Sequence, residues 1–157
     1  MSVLEVPQSI AAKIHAHGEQ AYPEEGAGFL LGVDSHARRV EAIFSLPNAR
    51  EDSARHNRYL ITPADYLKAE IEADRLGLSL IGVFHSHPDH PNRPSEFDRE
   101  WAQPFFSYII TSIEAGKAVE SRSWLLREDR LQFDEEEIVL TKQLISNPTI
   151  STASSGD

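Results

Sequence analysis

The sequence predicts an α/β sandwich built on one mixed β-sheet, and three observations lead there. Two nearly continuous apolar runs, Ala27 to Val33 and Leu78 to Phe84, have the length and composition of buried strands. Two segments carry apolar residues at helical spacing and end at Pro23 and Gly77. The resulting order of helix, strands, helix, strand, helix, strands favours helices flanking a mixed sheet over separate layers of one type. At 157 residues the chain has room for a single domain with a substantial core, expected over residues 1–145. The polar, small-residue end from Ser146 to Asp157 is expected to be disordered.

The first helix is expected from Pro7 to Gln20, with Pro7 near its first turn and Ile10 and Ile14 on its apolar stripe. After the strand at Ala27 to Val33, Asp34-Ser35-His36 reads as a turn into a second strand, Arg39 to Leu46. In that strand Val40, Ala42 and Phe44 alternate against Arg39, Glu41 and Ile43, so the pair predicts an antiparallel hairpin. Pro47 to Asn57 is polar and reads as a loop, followed by a brief strand, Arg58 to Ile61. Thr62 and Pro63 suit the cap and first position of a helix, whose stripe is Tyr66, Leu67, Ala69, Ile71, Ala73 and Leu76. The central strand follows, then a helix from Ser95 to about Ala102, with strands at Ser107 to Ser112, Ala118 to Leu126 and Leu131 to Phe133. Trp101, Phe105, Phe106, Tyr59 and Trp124 are expected to serve packing.

Composition removes several classes of function. The formal charge of −10 and the lack of a basic stripe argue against a nucleic-acid partner held through its phosphates. With no cysteine there can be no disulfide, thiolate zinc finger or thiol nucleophile, so any metal must rest on His, Asp or Glu. The first residues lack the pattern of a secretory signal, and no stretch approaches the ~20 apolar residues that span a bilayer. The expectation is a cytoplasmic protein with no membrane partner.

The loop from Gly82 to Asp98 is dense in metal-binding side chains. His85 and His87 are two apart, so in a strand both imidazoles face the same side, and Asp98 can fold back beside them. Two histidines and a carboxylate leave an open position on a tetrahedral zinc, as catalytic sites require. Spacing alone leaves metal binding and ordinary structural roles both open for this pair. Ser95 and Asp98 also fit a capping box at a helix start. His15, His17, His36 and His56 read as ordinary surface or hydrogen-bonded histidines, and Glu24, Asp89, His90 and Arg93 as solvated loop residues. Other two-histidine sites fit poorly. Zinc deaminases need cysteines, metal-dependent β/α barrels need ~250 residues, and the helical His-Glu-x-x-His motif is absent.

The run His85-Ser86-His87-Pro88, with Ser95 seven positions past Pro88 and Asp98 three past Ser95, resembles the JAMM motif of the MPN-plus metalloproteases. The segment Pro23-Glu24-Glu25-Gly26-Ala27-Gly28-Phe29-Leu30-Leu31-Gly32 resembles that family's upstream Glu and Gly-rich strand, and the likeness runs over roughly residues 7 to 133. Ala27 departs from the Cys that bacterial relatives often carry there. The resemblance implies an MPN (cytidine-deaminase-like) sandwich and one Zn²⁺ per chain on His85, His87 and Asp98, although iron or cobalt could occupy the same ligands. It also implies Glu25 as general base and Ser95 as oxyanion donor. The implied activity is hydrolysis of an amide at the C-terminal tail of a ubiquitin-like or sulfur-carrier protein. A non-catalytic MPN scaffold and a zinc amidase for a small conjugate remain as alternatives, and the oligomeric state is left open.

Overall fold

The computed structural model describes residues 2–47 and 61–142. Its elements are β1 Val3–Pro7, α1 Gln8–Ala21, β2 Ala27–Asp34, β3 Arg38–Ser45, α2 Pro63–Leu76, β4 Ser79–Pro88, α3 Glu96–Trp101, β5 Ser107–Glu114, β6 Lys117–Leu126 and β7 Phe133–Thr141. The expected α/β class, with a mixed sheet flanked by helices, is observed. The strands run β1-β3-β2-β4-β5-β6-β7, and a parallel β1–β7 pairing closes the sheet on itself. The end expected to be disordered and all but the first residue of the loop expected over 47–57, with most of the strand expected over 58–61, lie outside the described residues.

Both faces of the curved sheet are covered. On one, Ile10 and Ile14 of α1 pack with Leu4, Val6, Leu30, Val40, Ile81, Phe84 and Ile109. On the other, Ala69 and Ala73 of α2 pack with Phe29, Leu31, Val83, Phe106 and Tyr108. Burying a side chain the size of Leu or Phe is worth about 1.5–3 kcal/mol, so these two clusters carry the fold. Cover on both faces explains why β2 and β4 read as continuous apolar runs.

Each helix end has a chemical cause. Thr62 Oγ1 accepts the Asp65 N–H at 3.2 Å while Asp65 Oδ2 accepts the Thr62 N–H at 2.9 Å, a complete capping box. Gly77 ends α2 in the left-handed conformation at φ 71°, where a side chain would be strained. α1 stops at Ala21, and the Tyr22 N–H returns to the Gly18 carbonyl at 3.1 Å.

Several expectations need correction. β1 was not foreseen, because its five residues run straight into α1 with no turn signal between them. The last strand continues from Phe133 to Thr141 through an acidic run that conceals it. Glu136 in that run is buried, accepting hydrogen bonds from Ser107 Oγ at 2.8 Å and Ser123 Oγ at 2.9 Å. A bulge at Leu31/Gly32 opposite β3 sends Val40 to the α1 side and Ala42 and Phe44 to the α2 side, so a single alternation does not hold. A side chain at Gly32 would collide with the Arg39 carbonyl. On α2 the expected stripe is half right: Ala69 and Ala73 are buried, whereas Leu67 and Ile71 are about 60% exposed. Phe106 packs as expected, while Trp101 and Phe105 are more than half exposed.

Candidate active site

The site forms where β4 ends. β4 pairs antiparallel with β2 and parallel with β5, so its C-terminal end opens onto the loop that leads to α3. His85 and His87 lie on one face of β4, both buried, with ring centroids 5.0 Å apart.

Register accounts for Glu25. Ala27 pairs with His85 and Gly28 with Phe84, and the same register carried two residues upstream would bring Glu25 opposite His87. The pairing continues past β2, because the Ser86 N–H donates to the Gly26 carbonyl at 3.0 Å and the Gly26 N–H donates to Ser86 Oγ at 2.9 Å. Glu25 lines the same cleft as His87, and its charge acts on that imidazole. A side chain on Gly28 would meet the Phe84 ring and the Phe44 carbonyl, so a small residue there is required for β2 to lie this close.

Asp98 arrives on α3. Ser95 Oγ accepts the Asp98 N–H at 3.1 Å, and Asp98 Oδ2 accepts the Ser95 N–H at 2.7 Å, which fixes the carboxylate. The cap therefore engages the Ser95 side chain as well as its backbone. As an acceptor there, the hydroxyl keeps its own hydrogen for donation elsewhere. Arg130 ties the end of this short helix to the β6–β7 turn through the Ala102 carbonyl at 2.9 Å.

The three donors fit a metal. His85 Nε2 lies 3.5 Å from Asp98 Oδ1, and His87 Nε2 lies 3.3 Å from Asp98 Oδ2. One ligand atom from each residue can be chosen with all within 4.8 Å of one another. Ligands about 2.0–2.1 Å from a tetrahedral zinc stand about 3.4 Å apart; each histidine approaches a different oxygen of the Asp98 carboxylate at a distance of that order. His87 Nδ1 lies 2.7 Å from the Pro91 carbonyl. A carbonyl only accepts, so Nδ1 carries the hydrogen and Nε2 is the atom presented to the cluster.

Electrostatics separate the two histidines. Burial lowers the His85 imidazole to about 4, against the opposing charge of Asp98, so it is neutral with a lone pair available. Burial also acts to lower His87, but hydrogen bonds to Asp98 and the Pro91 carbonyl, with the charges of Asp98 and Glu25, outweigh it and raise that imidazole. Burial works against the Asp98 carboxylate, yet His85, His87 and the Ser95 N–H hold it well below the usual range.

The cluster opens on a cleft of about 730 Å³ whose lining includes Glu25, His87, Ser95 and Asp98. Four of the five expected site residues thus line the cleft, and the fifth, His85, is buried beside it with Nε2 3.5 Å from Asp98 Oδ1. His90 and Arg93 line it as exposed residues, as expected. Asp89 is no idle loop residue. Its Oδ1 accepts the Ala115 N–H at 2.9 Å and its Oδ2 accepts the Tyr22 hydroxyl at 2.6 Å, joining the metal loop to the segment that leads to Glu25. Ser86 was also missed as a support for Glu25, although its place between the histidines, facing away from them, was the available signal. Nothing in the sequence marked Tyr22.

A buried histidine pair and an aspartate at a strand end, with a further carboxylate lining the same cleft, have the donor set of a catalytic metal centre. The model of the prokaryotic homologs of the JAB domain matches residues 7–127. The chain belongs to that family. It is 34% identical over 116 residues, 74% of each chain, to a probable TtuB-protein conjugate cleaving protease of Thermus thermophilus. It is 30% identical over 104 residues, 66% of this chain and 68% of the relative, to a desampylase of Pyrococcus furiosus. A protein of Desulfitobacterium hafniense, known from its solution structure, superposes with a TM-score of 0.77 at 34% identity, covering 90% of this chain and 94% of its own.

Proposed function

We propose that this protein is a zinc-dependent isopeptidase or peptidase that hydrolyses an amide at the C-terminal tail of a ubiquitin-like or sulfur-carrier protein in the cytoplasm. The observation that carries the reading is that Glu25 lines one open cleft with His87 and Asp98 of the His85–His87–Asp98 cluster, close enough for its charge to act on His87. Among the described residues no helix is long and apolar enough to cross a membrane. The Thermus thermophilus relative, named for cleaving TtuB-protein conjugates, supports a conjugated protein as substrate.

His85, His87 and Asp98 would hold the zinc. Bound there, zinc acts as a Lewis acid and lowers the pKa of water toward neutrality. Glu25 takes the proton of the attacking water and returns it to the leaving amine. The Ser95 hydroxyl donates to the oxyanion that develops on the scissile carbonyl. An extended tail with small residues near the cut is the substrate shape proposed for the cleft.

The test is incubation of zinc-loaded protein with a carrier conjugated to a lysine and with the same carrier extended linearly, reading the products by intact mass. Free carrier ending at its own C-terminus is expected, together with the unmodified lysine partner. Intact conjugates in the presence of one bound zinc would refute the substrate assignment.

A further inference from the structure

The Pro91 carbonyl sets the orientation of His87, yet Pro91 lies exposed in the loop between β4 and α3, outside any strand pairing. A loop carbonyl can hold an imidazole only if the loop is itself held. The next residue, Asn92, is only 7% exposed. Its Nδ2 donates to the Glu120 carbonyl at 3.1 Å and to Glu120 Oε1 at 3.3 Å, and its own carbonyl accepts the Trp124 indole N–H at 3.0 Å. The Glu120 carbonyl can only accept, which places the Asn92 amide nitrogen on that side.

Both anchors are on β6. Glu120 pairs with Ser112 of β5, which pairs with His87, so this anchor sits two strands from the ligand in the same row of the sheet, and Trp124 four residues further along β6. The path from β6 runs through the Asn92 side chain and backbone to the Pro91 carbonyl and then to His87 Nδ1. From this geometry we infer that Asn92 and Trp124 are positioning residues for the metal centre, holding the Pro91 carbonyl where it fixes the His87 ring. Neither touches the cluster. Trp124 therefore does more than pack, and Asn92 supplies a rigidity that the loop prolines do not provide alone. The Pro91 carbonyl is the partner bonded directly to His87, and losing such a partner commonly changes metal affinity by about ten- to a hundredfold, which is the effect expected where the clamp no longer holds it.

The inference rests on His87 being a zinc ligand, and the test separates the two. Full-length wild type, Trp124→Phe and Asn92→Ala are titrated with zinc against a chromophoric chelator. The visible spectrum of each cobalt-substituted protein is recorded, and the zinc-free forms are unfolded in urea. Trp124→Phe keeps a ring and loses the N–H; Asn92→Ala decides the matter if the first variant does not fold. The expected result is one zinc in the wild type, binding weakened about tenfold or more in the variants, and shifted cobalt bands. Variants that lose urea stability but bind zinc within about twofold of wild type, with unchanged cobalt bands, would show a merely structural role and overturn the inference. A wild type that binds no zinc would overturn the ligand reading and the inference with it.

Discussion

Replacing Ser86 by Ala separates the support of Glu25 from the binding of metal. Ser86 Oγ is the buried acceptor for the Gly26 N–H at 2.9 Å, and Gly26 is the residue next to Glu25. Alanine leaves that amide buried without its acceptor, at a cost of about 1–3 kcal/mol. For a chain of this size, about 2 kcal/mol lowers Tm by roughly 4–8 °C. The backbone bond from Ser86 N–H to the Gly26 carbonyl is untouched, so the β2–β4 register survives and Glu25 loosens without leaving the cleft. Misplacing a catalytic group by about 1 Å can cost as much as a hundredfold in rate. The expected outcome is one bound zinc, a Tm fall in that range and kcat on a conjugated carrier reduced about ten- to a hundredfold. Thermal unfolding, zinc content and steady-state kinetics on one preparation check all three. A variant that lost zinc while retaining wild-type kcat per bound metal would refute the reasoning, because it would place Ser86 in support of the histidines instead of Glu25.

Ser95→Ala should retain zinc and slow hydrolysis by about a hundredfold or more, the usual effect of losing one oxyanion donor; wild-type turnover would restrict the hydroxyl to its role as a helix cap. His87→Ala should abolish zinc binding, and one retained equivalent by elemental analysis would contradict the ligand assignment. Acid should weaken the zinc-free protein between pH 6.5 and about 4. Burial lowers His85 from 6.5 to about 4 and also lowers His17, so below pH 6.5 the unfolded chain takes up protons that the native state refuses. Each fully excluded proton costs about 1.4 kcal/mol per pH unit. His87 is raised, so its stabilising contribution is fully present below 6.5; that of Asp98, which is lowered, is lost only below its ordinary value of 3.8. Urea unfolding at pH 6.5 and 4.5 should show a loss of about 2 kcal/mol or more, and equal stabilities would contradict it.

The sequence exposed the parts of the site that are local in the chain. His85 and His87 share a face because a strand repeats every two residues, and Ser95 and Asp98 form a capping box because a helix start needs one. Glu25 could be found by resemblance alone, since its position depends on the β2–β4 register, and no local pattern sets a register between strands so far apart. The same holds for Tyr22 with Asp89 and for Asn92 with Trp124, whose partners meet only after the sheet has formed. In the fold, β1 and β7 escaped because each makes sense only through the other. Their parallel pairing closes the sheet, and the buried Glu136 that helps anchor β7 resembles its solvated acidic neighbours until Ser107 and Ser123 are brought beside it.

The central claim is that Glu25 moves the proton at a metal centre held by His85, His87 and Asp98. Its most direct test is Glu25→Gln, with zinc content and conjugate hydrolysis measured on the same sample. One equivalent of zinc with hydrolysis reduced at least a hundredfold is expected, since a positioned acid–base group typically contributes about 10²–10⁴ in rate. Zinc at one equivalent with wild-type hydrolysis would contradict the account.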